Sequence, residues 1–332
     1  MRNVCLIVGN GIAHDFVNDF KKNLNPSLPL SNFNNDKILE KYRELERRMP
    51  FLFENLIQNA DGLKNEFELI KNYIEKIKNH EDFLKHYCDL RRFLTISYSY
   101  FHIEAISSGN LNTWKWTKWI SKHKEKINYV YSLNYDILIE NALESCRIYP
   151  IRSGTIQFNN IARSINQIPI IKPHGSIDFD VDEFIAPTLQ KAILNKNSLA
   201  INSIVEQRWS TITTNNDING RINVIPSSLW LYPRLQADVI PPSQINLQSH
   251  LSWVKTGENF IKNNGKSIKI CIIAGCSYDK PDQPEIRAII NTFSNNVTFY
   301  IVNPQKIPFL IKFIKAKGHK VITLNSEPPI LK

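Results

Sequence analysis

Cysteine is scarce in this chain. Five residues in 332 carry a thiol (Cys5, Cys88, Cys146, Cys271 and Cys276), and no two have Cys-x-x-Cys spacing. So sparse and odd a set is no disulfide framework, and a reducing cytoplasm is the expected setting. A zinc site on Cys271 and Cys276 lacks two further ligands, so no metal is expected. Glycine (11) and proline (17) are too few for a low-complexity or collagen-like chain. No stretch approaches the roughly 20 apolar residues that cross a bilayer, so no membrane partner is expected. Residues 1–9 hold one basic residue and a short apolar run without a small-residue cleavage site, so no secretory leader is expected.

Acidic residues are also in deficit, 31 against 41 basic, for a net charge of +10. The deficit is concentrated in residues 151–332, which hold 20 Lys+Arg and 12 Asp+Glu. Such an imbalance suits a polyanionic partner: nucleic acid, nucleotide or acidic protein. Lys306, Lys312, Lys315, Lys317 and Lys320 form a run without acids near the end. Its default reading is a solvated helix face, and its sharper reading a nucleic-acid or acidic-protein contact. The remainder is ordinary globular composition, 42% hydrophobic and 22% charged, in a chain long enough to bury a core without staples. Length alone suggests about two domains, or one α/β domain with insertions.

Asn3–Val8 is short and continuously apolar, as a strand buried on both faces is, and it ends at Gly9. Ile12, Ala13, Phe16, Val17 and Phe20 then recur at helical spacing, predicting a helix over Ile12–Leu24. Residues 36–126 read as almost entirely helical, with Pro50 as a break or restart, and are expected to form an inserted helical subdomain. Strands are predicted at Asn128–Leu133, Arg147–Ile151, Ile168–Lys172, Ser267–Ala274, Val297–Val302 and Lys320–Leu324. Helices are predicted at Ile137–Ser145, Leu247–Asn263, Pro284–Phe293 and Gln305–Lys317. Buried strands alternating with helices predict an α/β fold: a Rossmann-like parallel sheet covered by helices. One domain over 1–332 is expected, with 178–242 as a variable insertion or lid.

Five motifs follow predicted strands, where ligands bind in doubly wound sheets. Gly9-Asn10-Gly11-Ile12, with Asp15 behind it, is a strand-to-helix turn suited to a phosphate, or simply a tight turn. Asn134-Tyr135-Asp136 places two polar groups after a strand, and Asp136 equally suits a helix cap. His174-Gly175 lies past the next strand but one. Gly275-Cys276-Ser277 suits a second phosphate contact, and the Asn303 amide a ribose hydroxyl. Asp178, Asp180, Asp182 and Glu183 are read as a solvated turn, and Trp114, Trp116 and Trp119 as core of the helical subdomain or an oligomer contact.

In this order the motifs resemble the sirtuin (silent information regulator) superfamily, and most closely its bacterial sirtuin-like branch of NAD-consuming antiphage defence effectors. Gly9-Asn10-Gly11-Ile12 falls on the family's glycine-alanine-glycine-isoleucine loop, Asn134 and Asp136 on its Asn-x-Asp, and His174-Gly175 on its catalytic His-Gly. Gly275-Cys276-Ser277 falls on its Gly-Thr-Ser segment, Asn303 on its ribose Asn, and Val239-Ile240-Pro241-Pro242 on a stretch common in the bacterial branch. The family's zinc ribbon, which helps build the acyl-lysine groove of its deacylases, is absent. Leu133 stands where deacetylases carry Gln, and the cofactor loop is reduced to Asp15-Phe16 without its Arg.

The resemblance implies an NAD glycohydrolase that takes NAD as substrate, releases nicotinamide and ADP-ribose, and depletes NAD on activation. His174 is the implied base, Asn134 orients water or ribose hydroxyls, and Asp136 holds the carboxamide or its loop. The alternatives are an NAD-dependent deacylase or ADP-ribosyltransferase, or a non-catalytic NAD/ADP-ribose-binding module. A free NAD hydrolase is toxic to its own cell, so a homo-oligomer or regulatory protein partner is expected.

Overall fold

The computed structural model describes residues 2–20, 24, 26, 45–57, 66–107, 109–159, 166–181, 222–224, 226, 227, 230, 237–239, 252–278 and 282–331. The chain divides into two compact units. One gathers Met1–Pro26, Glu104–Pro173 and Trp253–Lys332, and the other Ser27–Ile103 and His174–Ser252.

The first unit is built on a seven-stranded sheet of order β10-β9-β8-β1-β2-β4-β3. Its strands are β1 (Val4–Val8), β2 (Ile127–Ser132), β3 (Tyr149–Arg152), β4 (Gln167–Ile171), β8 (Ile270–Ala274), β9 (Thr298–Val302) and β10 (Lys320–Leu324). Every pairing is parallel. This is the predicted α/β class, a Rossmann-like parallel sheet flanked by helices. All five β1 residues are buried, as a central parallel strand requires. Cys5, Ile7, Tyr129, Ile273, Phe299, Leu310 and Ile314 belong to one apolar cluster. The flanking helices are α1 (Gly11–Asp19), α4 (Lys115–His123), α5 (Leu138–Ser145), α6 (Ser252–Asn264), α7 (Gln283–Ile290) and α8 (Pro308–Ala316).

Two boundaries differ from the sequence expectation for local reasons. Arg147, predicted to open β3, instead closes α5: its φ is 61°, and Ile148 N donates to Leu143 O at 3.0 Å. That is a left-handed helix stop, and the strand begins only at Tyr149. Likewise α8 starts at Pro308 and not at Gln305, because Asn303 Oδ1 accepts from Gln305 N at 2.9 Å and folds that stretch into a turn. Trp114, Trp116 and Trp119 are buried, but in the core of the sheet unit and not of a separate helical subdomain. Trp114 stands edge-on to Phe16 of α1 with ring centroids 5.1 Å apart, and the indole of Trp119 donates to Pro329 O at 2.7 Å.

The second unit holds α2 (Glu66–Ile77), most of α3 (Phe83–Ser107), and an antiparallel sheet of order β6-β5-β7. These strands are β5 (Gly175–Val181), β6 (Ile222–Val224) and β7 (Ala237–Val239). Pro50 stands at the first position of a new helical turn, Pro50–Leu52, where its missing N–H costs nothing. Arg91 in α3 donates from Nε to Val239 O at 3.0 Å, tying helix to sheet within this unit. The solvated-turn reading of the acidic cluster is corrected here. Asp178 and Asp180 lie on β5, and Asp178 is buried. Ser176–Val181 alternates polar and apolar residues, the period of a strand, and the acidic cluster masked that signal. Ser176–Phe179 are all buried, so the polar positions of the alternation are covered as well. Asp182 and Glu183 lie outside the described residues, as does most of 178–242.

Candidate functional site

From β1 the chain passes to β2, then to β3 at the sheet edge and back to β4 between them, and returns to the other side of β1 for β8, β9 and β10. The carboxyl ends of β1 and β8 therefore meet where the winding reverses, the place where open α/β sheets bind ligands. Four of the five sequence motifs belong to this unit, in the turns after β1, β2, β8 and β9.

Those turns are laced together by backbone. Gly9 N donates to Ala274 O at 3.0 Å, Gly11 N to Gly275 O at 2.8 Å, and Gly275 N to Val302 O at 3.0 Å. The glycines are required by contact. A Cβ on Gly11 would lie 2.5 Å from Gly275 Cα, and one on Gly275 would lie 2.4 Å from Ile12 N. Gly275 also has a φ of +66°, which side chains disfavour. At the start of α1, Ile12 N, Ala13 N and His14 N donate to the carbonyls of Gly9, Asn10 and Asn10. An anion at this turn would thus meet chiefly the positive end of the α1 dipole.

The motif side chains bond mainly to the frame. Asn10 Nδ2 donates to Pro26 O at 3.1 Å. Asp15 pairs with Lys115 Nζ at 2.6 Å and accepts from Trp114 Nε1 at 3.2 Å, so it holds the start of α4 against α1. Cys276 is buried, and burial pushes its thiol far above the ordinary range, so the side chain is an inert core group and only its backbone can serve a ligand. Ser277 is exposed, with Oγ 3.4 Å from Asp282 Oδ2. Asn303 Nδ2 donates to Cys276 O at 2.8 Å, joining the β8 and β9 turns.

The turn after β2 is more polar and more deeply buried. Asn134 Nδ2 donates to Gly9 O at 3.2 Å, linking this turn to the β1 turn. Asp136 Oδ1 accepts from Leu138 N at 3.0 Å, so it satisfies the first N–H of α5 from one residue before the N-cap position, Ile137, close to the capping role that its position allowed. Burial lifts the Asp136 carboxyl to about 6, against the opposing pull of Lys172. Sequence reasoning missed two residues here. Lys172, just past β4, is fully buried, and its Nζ donates to Asp136 O at 2.5 Å and to Glu140 Oε1 at 2.9 Å. Both partners of the Lys172–Glu140 pair are buried (0% and 1% side-chain exposure). The signal was present: a lysine directly after Ile168-Pro-Ile-Ile, and a glutamate inside the apolar stripe of α5.

His174 is half-buried in the turn between β4 and β5 and is the first residue of the second unit's second segment. Of the Val239–Pro242 stretch only Val239 is described, on β7. Asn10, Gly11, Asn134, Asp136, Gly275 and Asn303 are thus brought to one edge of one sheet, with Lys172 and Glu140 added.

Among the described residues one group could hold a cation. His80, Asp82 and His86 offer ligand atoms within 4.8 Å of one another. The Nδ1 lone pair of His80 is already engaged by Asp82 N at 3.1 Å, which leaves Nε2 as the protonated nitrogen of the neutral ring. No helix among the described residues is long and apolar enough to cross a membrane. No protein-family model matches the chain, and a search of curated proteins finds no match.

Proposed function

We propose that this chain is an NAD glycohydrolase of sirtuin-like type that cleaves the nicotinamide–ribose bond. The supporting observation is the gathering of the Gly9–Ile12, Asn134–Asp136, Gly275–Ser277 and Asn303 turns at the carboxyl edge of one parallel sheet, at its winding reversal. NAD would lie with its diphosphate near the α1 start and its adenosine ribose near Asn303. The reaction is NAD⁺ plus water giving nicotinamide, ADP-ribose and a proton. Nicotinamide is attached as a cationic pyridinium and departs neutral, so the leaving group needs no general acid. The transition state is oxocarbenium-like, and fixed dipoles near the developing charge and a positioned water lower its energy.

In this reading Asn134, fixed through Nδ2 to Gly9 O, presents its carboxamide oxygen to the water or a ribose hydroxyl. Asp136 holds its loop through Leu138 N, and is ionised at neutral pH with a carboxyl near 6. His174, two residues beyond Lys172, takes the proton from water; its role rests on sequence position. A correctly placed base contributes about 100- to 10,000-fold. Chromatography of NAD incubated with the purified protein tests the reading, with an acetylated peptide in a parallel reaction. Equal amounts of nicotinamide and ADP-ribose are expected, with no acyl transfer. Acyl-ADP-ribose would instead assign a deacylase, and nucleotide binding without turnover a binding module. Depletion of cellular NAD in defence, by an oligomer or with a regulatory partner, is part of the same proposal.

A further inference from the structure

We propose that Lys172 is a positioning residue, its buried ammonium holding the Asn134–Asp136 turn in place through the carbonyl oxygen of Asp136. The functional consequence rests on the NAD-cleaving reading above, while the tie itself can be measured without it.

A lysine ammonium is costly to bury, and Lys172 is buried completely. It sits at the end of β4, beside β2 in the sheet, so it stands across from the turn that follows β2. It contacts the backbone of that turn through Asp136 O and the first turn of α5 through Glu140 Oε1. The Asp136 carboxylate is thereby left to cap Leu138 N. An apolar side chain filling the same space could satisfy neither acceptor. Glu140 Oε2 is buried without a hydrogen-bond partner among the described residues, so Glu140 is only half satisfied by the lysine. That is a poor arrangement for stability alone. It is intelligible if the ammonium is there to fix a turn whose polar groups must not drift. The charged groups acting on Asp136 are Lys172, which lowers its carboxyl, and Glu140, which raises it less.

Lys172→Met alone strands the Glu140 carboxylate and threatens folding, so Lys172→Met/Glu140→Leu, which removes both charges, carries the test. Full-length wild type and double variant are compared by amide hydrogen exchange over residues 134–138 and by nicotinamide release between pH 5 and 9. The double variant is expected to melt close to wild type and to exchange at Leu138 at least about tenfold faster. Its kcat is expected to fall about 100-fold with KM changed less than about threefold, since a misplaced group loses orientation more than binding. The acid limb of its pH profile moves to higher pH, because the stronger of the two opposing charges on Asp136 is gone. Wild-type protection over 134–138 in the double variant overturns the proposal, whatever the activity. Faster exchange with unchanged kcat also overturns it. Faster exchange with a wild type that releases no nicotinamide supports the tie and overturns the NAD reading instead.

Discussion

On the β1–β8–β9 side of the rim, the turns are held by backbone touching backbone. Gly9, Gly11 and Gly275 leave no room for a Cβ, and one amide, Asn303, spans two turns. On the β2–β4 side the same task falls to a buried ammonium between a carbonyl and a carboxylate. The first solution is steric and indifferent to pH. The second is electrostatic, is lost when either charge is removed, and sits beside a carboxyl that titrates near 6. Neighbouring turns of one sheet edge can thus be fixed by unrelated forces, and they should fail in different ways.

The largest effect is expected at the charged side. Lys172→Met leaves Glu140 buried and uncompensated and should cost about 3–5 kcal/mol in urea unfolding, most of it recovered by adding Glu140→Leu. Gly275→Ala should cost about 3 kcal/mol, from overpacking against Gly11 and Ile12 together with the left-handed φ. No second substitution in a neighbouring side chain should rescue it, because the obstacle is backbone. If a partner substitution did rescue Gly275→Ala, the contrast between the two sides would collapse.

The third prediction concerns pH. Burial raises the Asp136 carboxyl in the folded state to about 6 from an ordinary 3.8. Between those values the folded chain holds a proton that the unfolded chain releases. The contribution of this group to stability is therefore fully present below about pH 3.8 and lost as pH rises through 6. Asp136→Asn should remove about 2–3 kcal/mol of this pH dependence, read as the wild-type minus variant difference at pH 4 and at pH 7. Gly9→Ala, on the steric side, should show a stability loss that does not vary over the same range. The smallest effect belongs to a control glycine. Gly318 has a φ of +78° but nothing within 4 Å of an added Cβ. Gly318→Ala should cost only about 1–2 kcal/mol, the conformational part alone.

The inner strands β1, β2, β4 and β8 were legible because each is a short, largely buried apolar run, and the strand-end motifs because glycine and amide residues punctuate those runs. The edge strands β3 and β10 are partly exposed and were legible from apolar content and their alternation with helices. Lys172 and Glu140 escaped because charge in an apolar run has no periodicity, and a buried pair becomes visible only when two distant segments meet. β5 escaped because its buried aspartate, Asp178, reads as a polar turn. The bland readings of Asp136 as a cap and the tryptophans as core describe what these side chains touch in the structure. The same contacts hold the polar groups of the rim in fixed places, as the proposed catalytic role requires.

The most direct test of the central proposal is nicotinamide release from NAD by the purified full chain, alongside Asn134→Ala and His174→Ala variants shown to be folded by circular dichroism. Release by the wild type that falls at least about 100-fold in each variant is the predicted result. No release from the wild type, or undiminished release from His174→Ala, would contradict it.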